Sequence, residues 1–273
     1  MSVRDALRLA ESRLRAAGCD TPRVDAELLV AHVLGTKRSG ALADPDRTLG
    51  AREGAELERL LARRERREPL AYVLGEWGFR RLLLDVDPRV LVPRPETEIV
   101  VERCLARLAG VSEPRVLDVG TGSGAIALAI ADEHPGSRVT ALDASPDALA
   151  VARANAARTG LAVDLVEHDL FDGLPPGPWD LVVSNPPYVR PEDVEQLAPE
   201  VRAEPRAALV GEGATDAIAR GAVPVLRPGG ALVLEVANGD AGRVAALLRE
   251  LGYVDVGVTL DLAGRERVVE GLR

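Results

Sequence analysis

The tetrapeptide Asn185-Pro186-Pro187-Tyr188 presents a side-chain amide oxygen and backbone carbonyls held by two rigid proline rings. These are acceptors with no proton to lose, and they suit a substrate that offers an NH2 group. The motif directly follows the apolar run Leu181-Val182-Val183-Ser184, which reads as a buried parallel strand. Upstream, the strand-like segment Arg115–Val119 runs into Gly120-Thr121-Gly122-Ser123-Gly124, a loop whose backbone can come close to a nucleotide-like cofactor. In an open α/β sheet, ligands bind outside the carboxyl ends of the strands, so both motifs should face one crevice.

The elements that must position these residues follow from periodicity. Val3, Leu7, Ala10 and Leu14 recur at helical spacing, and Thr21-Pro22 reads as an N-cap with proline at the first helical position. Gly35 can end that second helix, and Leu57, Leu60 and Leu61 mark a third that stops before Pro69. Residues 70–92 change character: Tyr72-Val73-Leu74, Trp77–Phe79 and Leu82-Leu83-Leu84 look extended, as in a β-hairpin connector. A helix is expected at about 96–109, stiffened at its start by the prolines of Val92-Pro93-Arg94-Pro95-Glu96-Thr97-Glu98. Strands are then expected near 115–119, 138–143, 162–167, 180–184, 230–236, 252–258 and 265–270. Helices are expected near 124–134, 146–159, 214–226 and 240–251. Repeated βα units imply a mostly parallel sheet covered on both faces, closed by an antiparallel pair. The domains expected are 1–81, helical, and 82–273, α/β and including the hairpin.

Three acidic residues at strand ends sharpen the cofactor reading. Asp143, roughly 20 residues beyond the glycine loop, can accept both ribose hydroxyls. Asp118 could anchor the loop or the cofactor's amino group. Asp169 could accept an exocyclic adenine N–H, with Leu170 covering one ring face. The glycine spacing departs from the G-x-G-x-x-G dinucleotide fingerprint, which counts against a nicotinamide-dependent oxidoreductase. Together these strand ends resemble a class I S-adenosylmethionine (SAM) methyltransferase, a Rossmann-like fold with seven strands.

Asn-Pro-Pro-Tyr at the fourth strand end occurs in methyltransferases acting on planar NH2 nitrogens. Such a nitrogen is a poor nucleophile because its lone pair is delocalised. Hydrogen bonds from its two N–H groups to the Asn185 side-chain oxygen and the Pro186 carbonyl would hold it and favour pyramidal geometry as positive charge develops. Tyr188 can pack against the flat acceptor group, and no metal is required.

Nearly end to end, the chain resembles the release-factor glutamine N5-methyltransferases (PrmC/HemK). The shared segments include Pro69–Glu76, Val92–Glu98, Leu117–Ala127, Ser184–Tyr188, Glu204-Pro205-Arg206-Ala207-Ala208-Leu209 and Asp261–Val269. The resemblance implies methylation, from SAM and leaving S-adenosylhomocysteine, of the glutamine in the Gly-Gly-Gln loop of class 1 peptide-chain release factors. It implies that the helical domain grips that protein. Asn185, Pro186 and Tyr188 would be catalytic, Pro187 would join them in binding substrate, and Gly120–Gly124, Asp143, Asp169, Leu170 and Asn185 would bind cofactor. The stretches Gly211–Ile218 and Glu235–Asp240 depart from the usual pattern, and Leu170 stands where relatives often carry an aromatic residue.

Bulk properties set limits on the alternatives. The net charge of −9 argues against broad nucleic-acid binding, and so against an N6-adenine or other nucleic-acid amine methyltransferase, which would use the same acceptor motif. Residues 1–81 are less acidic than the rest, with 16 Lys+Arg against 13 Asp+Glu. The cluster Arg63-Arg64-Glu65-Arg66-Arg67 reads either as a solvated helix face or as a contact for an acidic or RNA-associated partner. The intact acceptor motif disfavours a SAM-binding adaptor that has lost catalysis. No apolar run spans a bilayer and no secretory signal opens the chain. Cys19 and Cys104 lack metal-ligand spacing. A monomeric cytoplasmic protein is expected.

Overall fold

The computed structural model describes residues 1–273, which divide into two compact units. The first comprises Met1–Glu76 with Leu197–Ala203, and the second Trp77–Gln196 with Glu204–Arg273.

The helical unit holds α1 (Val3–Ala16), α2 (Pro22–Val33), α3 (Arg38–Ala43), α4 (Ala51–Glu65) and α5 (Leu70–Leu74). The apolar stripes anticipated on α1 and α4 meet in one core, where Leu14, Leu29, Leu57, Leu60 and Leu61 are fully buried. Two details differ from expectation. Tyr72-Val73-Leu74 is not extended: it forms the single turn α5, closed by Gly75 at φ 80° with its N–H on the Ala71 carbonyl at 2.8 Å. This turn places Val73 in the helical core, a tertiary gain that overrides the β-propensity of the segment. Thr21 also does not cap α2 with its side chain; its hydroxyl donates to Asp25 Oδ1 at 2.6 Å instead.

The Arg63–Arg67 cluster is neither a solvated face nor an open contact surface. Arg64 is buried, with Nε on Asp25 at 2.8 Å and Nη1 on Glu200 at 2.7 Å, and Arg67 Nε also binds Glu200, at 2.5 Å. Arg63 pairs with Glu68 and donates to the carbonyls of Tyr72 and Val73. Only Arg66 of these arginines is exposed.

In the α/β unit, β1 (Glu76–Phe79) and β2 (Leu82–Asp85) form the anticipated hairpin. Then come α6 (Thr97–Leu108), β3 (Arg115–Val119), α7 (Ala125–Glu133), β4 (Arg138–Asp143), α8 (Pro146–Thr159), β5 (Asp164–Glu167) and β6 (Trp179–Ser184). The short helices α9 (Pro199–Arg202, part of the helical unit) and α10 (Arg206–Leu209) follow. The chain ends with α11 (Ala214–Val225), β7 (Leu226–Glu235), α12 (Ala241–Glu250), β8 (Val254–Leu260) and β9 (Glu266–Leu272).

The seven strands lie in the order β5-β4-β3-β6-β7-β9-β8. All neighbours are parallel except β7–β9 and β8–β9, which are antiparallel. Alternate residues of the central strands serve opposite cores. Val116, Leu181 and Val183 pack with α6 and α7, while Leu117, Val182 and Leu232 pack with α11 and α12. Burial on both faces is why the strands read as continuous apolar runs. The chain runs outward from β3 to β5 and returns to β6 on the other side of β3. That reversal opens a crevice at the carboxyl ends of β3 and β6.

Candidate active site

Two adjoining cavities occupy that crevice. The larger, about 300 Å³, is walled by Gly120, Gly122, Asp143, Asp169, Leu170, Asn185 and Pro187, with Val90, Leu91 and Pro205 among the remaining lining residues. The smaller, about 50 Å³, is lined by Gly120–Ser123, Arg94, Thr97 and Asn185. Asn185 and the glycine loop are common to both.

The loop is held over the strand ends by the backbone. The N–H groups of Gly120 and Thr121 both donate to the Leu142 carbonyl, at 2.9 and 2.8 Å. Gly120, Gly122 and Gly124 have φ of 76°, 56° and 83°, values an L side chain rarely adopts. Gly124 belongs to neither cavity wall; a Cβ there would come within 3.1 Å of Leu128 Cδ1, so it serves the packing of α7. Beneath the loop, Asp118 is fully buried and accepts from the Thr121 hydroxyl at 2.7 Å, while its Oδ1 has no partner. Burial pushes its pKa up to about 7.

Asp143 has a second duty that its position alone does not show. Oδ2 accepts from the Gly122 N–H at 2.8 Å and Oδ1 from the Ser145 N–H at 2.9 Å. It braces the loop as well as facing the larger cavity. Ser145, not Asp143, caps α8, accepting from the Ala148 N–H at 3.1 Å. Burial raises the Asp143 pKa against the pull of these N–H groups. Asp169 accepts from the Phe171 N–H at 2.9 Å, and Leu170 packs on the α11–α12 core while lining the cavity.

The acceptor motif is anchored on both sides. Before it, the Ser184 hydroxyl donates to the Val119 carbonyl at 2.6 Å, tying β6 to β3. After it, the Val189 N–H donates to the Leu209 carbonyl at 2.9 Å. Gly211 lies so close to Pro187 that a Cβ would sit 2.2 Å from Pro187 Cγ. Pro186 is buried, and Tyr188 is 38 % exposed; neither walls the two cavities. Burial, then the nearby Glu235 carboxylate, pushes the Tyr188 hydroxyl up to about 12.

Three sequence segments singled out by the resemblance meet around this motif. Buried Glu204 pairs with Arg94 and accepts from the Val92 N–H at 3.0 Å. Glu96 accepts from Arg265, which also binds Asp261 at 2.8 Å. Thr97 donates to Glu235 Oε2 at 2.7 Å and accepts from Asn185 Nδ2 at 3.3 Å. The roles of Thr97 and Glu235 are absent from the sequence reading. The available signal was an acid at the carboxyl end of the buried strand Leu232-Val233-Leu234-Glu235, the same signal that drew attention to Asp143.

The crevice can take a ligand with both polar and flat apolar parts. It offers a carboxylate at Asp143 and an apolar face at Leu170. A ribose and a base match those features in chemistry.

The sheet order and the crevice at its reversal define a class I SAM-dependent methyltransferase fold. The Thermus thermophilus 16S rRNA methyltransferase RsmC, solved in complex with AdoMet and guanosine, superposes with a TM-score of 0.56 at 20 % identity. That likeness covers 72 % of this chain and 49 % of RsmC. A methyltransferase small domain family model matches residues 97–259, and a PrmC N-terminal domain model matches residues 5–75. The release factor glutamine methyltransferase of Deinococcus radiodurans is 45 % identical over 100 % of this chain and 99 % of its own length. That of Caulobacter vibrioides is 41 % identical over 97 % and 94 %. The chain belongs to the release factor glutamine methyltransferase family. No helix is long and apolar enough to cross a membrane.

Proposed function

We propose that this protein methylates the side-chain amide nitrogen of the glutamine in the Gly-Gly-Gln motif of class 1 peptide-chain release factors, using SAM. The observation that carries this is Asn185, an amide on the wall common to both cavities at the end of β6. Family membership selects glutamine among planar NH2 acceptors. Bound in the larger cavity, SAM supplies an electrophilic methyl group and leaves as S-adenosylhomocysteine.

The residues of the chain do the rest by positioning. Asp143 accepts from the ribose hydroxyls through lone pairs not used by Gly122 and Ser145. Asp169 accepts from the adenine amine and Leu170 covers the ring. Gly120 and Gly122 let the backbone of the Gly120–Ser123 turn approach the cofactor, while Gly124 seats α7 behind it. The Asn185 side-chain oxygen and the Pro186 carbonyl accept the two N–H bonds of the glutamine amide, with Pro187 fixing the turn and Tyr188 packing beside the flat acceptor. These acceptors hold the lone pair toward the methyl group and stabilise charge growing on nitrogen. The departing proton passes to water.

The helical unit, residues 1–81 by sequence, recognises the folded release factor, and the protein acts as a cytoplasmic monomer. Incubation with labelled SAM and either a release factor or DNA, followed by mass spectrometry, tests this reading. Label on the Gly-Gly-Gln glutamine is expected; label on DNA alone would overturn it.

A further inference from the structure

We propose that Thr97 and Glu235 lock the orientation of the Asn185 amide, so that its oxygen rather than its nitrogen faces the acceptor. This makes them positioning residues for the specificity of the site, and it rests on the function proposed above. The argument is one of proton counting. A threonine hydroxyl has a single proton. Here it is donated to Glu235 Oε2 at 2.7 Å, leaving only lone pairs toward Asn185. Asn185 must therefore turn Nδ2 to Thr97, at 3.3 Å, a long bond of this kind. Its Oδ1 is left to the cavity. An amide has two nearly isosteric orientations, one offering an acceptor and the other a donor. Without the relay nothing in this geometry chooses between them.

Both relay members are built in. Thr97 is 4 % exposed and Glu235 1 %, and they lie 138 residues apart, on α6 and β7. An unpaired carboxylate at such a site is costly. The groups around it are the Thr97 hydroxyl from α6, Glu96 just before that helix, the Tyr188 hydroxyl from the loop after β6, and Arg267 from β9. None is a salt-bridge partner, so the Glu235 carboxyl can take up a proton, and burial moves its pKa up to about 7. Once protonated, it can donate to Thr97. The Thr97 hydroxyl is then free to turn its own proton to Asn185, and the preferred amide orientation is lost.

The lock matters for discrimination. A glutamine amide presents donors to Asn185 Oδ1. The isosteric glutamate presents only lone pairs and is repelled. A flipped Asn185 would favour the glutamate instead.

The test compares Thr97→Val and Thr97→Ser with the parent. Thr97→Val is expected to lower kcat on release factor at least tenfold, with SAM affinity unchanged. Its preference for binding release factor over the variant bearing Gln→Glu in the Gly-Gly-Gln motif should narrow about tenfold, roughly one hydrogen bond's worth. Thr97→Ser, which keeps the hydroxyl, should recover most of both. In the parent, kcat should rise with pH through about 7, and in Thr97→Val that limb should be flat. Unchanged kcat and unchanged Gln/Glu preference in Thr97→Val would overturn the lock while leaving the proposed function standing. Were the parent itself inactive on release factor, the function would fall and the lock would be read without substrate. The Asn185 side-chain NH2 resonances should then exchange slowly with solvent in the parent and fast in Thr97→Val; equal exchange would overturn it.

Discussion

Asn185 is asked to supply one preorganised acceptor. Removing a contact of this kind typically costs on the order of 10²–10³ in turnover. Asn185→Ala should lose that much methyl transfer and still fold, because its one protein partner in the structure is a bond of 3.3 Å. Single-turnover methylation of release factor measures it, and the parent rate in Asn185→Ala would end the proposed mechanism. Asn185→Asp keeps an acceptor but places a second carboxylate near Glu235, and should also be slow. Asp118 makes a different prediction, about stability. Its folded pKa is raised to about 7, above the ordinary 3.8, by burial. The folded state thus holds a proton that the unfolded chain releases in that window. The stability from this group is fully present below pH 3.8 and is lost as pH rises through about 7. Asp118→Asn, which keeps an acceptor for Thr121, should therefore gain on the parent by roughly 3–4 kcal/mol between pH 4 and pH 8. Urea unfolding at the two pH values reads the difference, and a pH-independent gap would refute the assignment. Single residues were legible in the sequence where strand-end logic applies: Asn185, Asp143 and Asp169 all reach the crevice wall. Thr97 and Glu235 were not, because their meaning lies in a contact between two distant segments.

At the scale of elements, the crevice depends on loops braced by other loops. The Pro187 turn leans on Gly211, where a Cβ would collide with the proline ring. Gly211→Ala should shift the acceptor motif and lower kcat several-fold or more, while SAM binding, which depends on the other strand ends, changes little. An unchanged kcat would show that the contact relaxes freely. Only the packing reveals the use of this position. Helix and strand positions in the α/β unit were legible because a doubly covered sheet imposes apolar runs on its central strands. The error at Tyr72–Leu74 has the opposite cause: three β-formers were captured by a neighbouring helical core and a left-handed Gly75. In the helical unit, Arg64 is the buried charge that the same core must neutralise. It is buried between Asp25 and Glu200. Burial works against ionisation of Glu200, but Arg67 and Arg64 outweigh it and hold its pKa down to about 2. A depressed folded pKa gives stability that is present above the ordinary 4.5 and is lost as pH falls toward 2. Glu200→Ala leaves Arg64 with one carboxylate instead of two and should cost about 3 kcal/mol at neutral pH. Chemical denaturation would check it; a cost below 1 kcal/mol would mean Asp25 alone suffices.

For the whole molecule, the two units divide the work proposed here between recognition and chemistry. The sequence alone read the basic run Arg63–Arg67 as a solvated helix face, with a contact for an acidic or RNA-associated partner as the second candidate. The structure removes that candidate, since Arg63, Arg64 and Arg67 are engaged by the unit's own carboxylates and carbonyls. The pairing of Arg64 and Arg67 was unreadable from composition because their shared partner, Glu200, lies more than a hundred residues away in sequence. What remains in favour of recognition by the helical unit is the family match over residues 5–75. Deleting the unit is a poor test, because Leu197–Ala203 packs within it and would lose that support. Amide hydrogen exchange on the intact chain avoids the difficulty. Adding SAM should protect the segments around Gly120–Gly124, Asp143 and Asp169 and leave the helical unit unaffected. Adding release factor on top of SAM should protect Asn185–Tyr188 and, separately, part of residues 1–76. Protein interfaces of ordinary size bury roughly 800 Å² per partner, more than an active-site crevice of this size offers. A second protected region is therefore required if the substrate is a folded protein. Protection confined to the α/β unit would remove the recognition role from the helices, and no protection anywhere would remove the release factor as substrate.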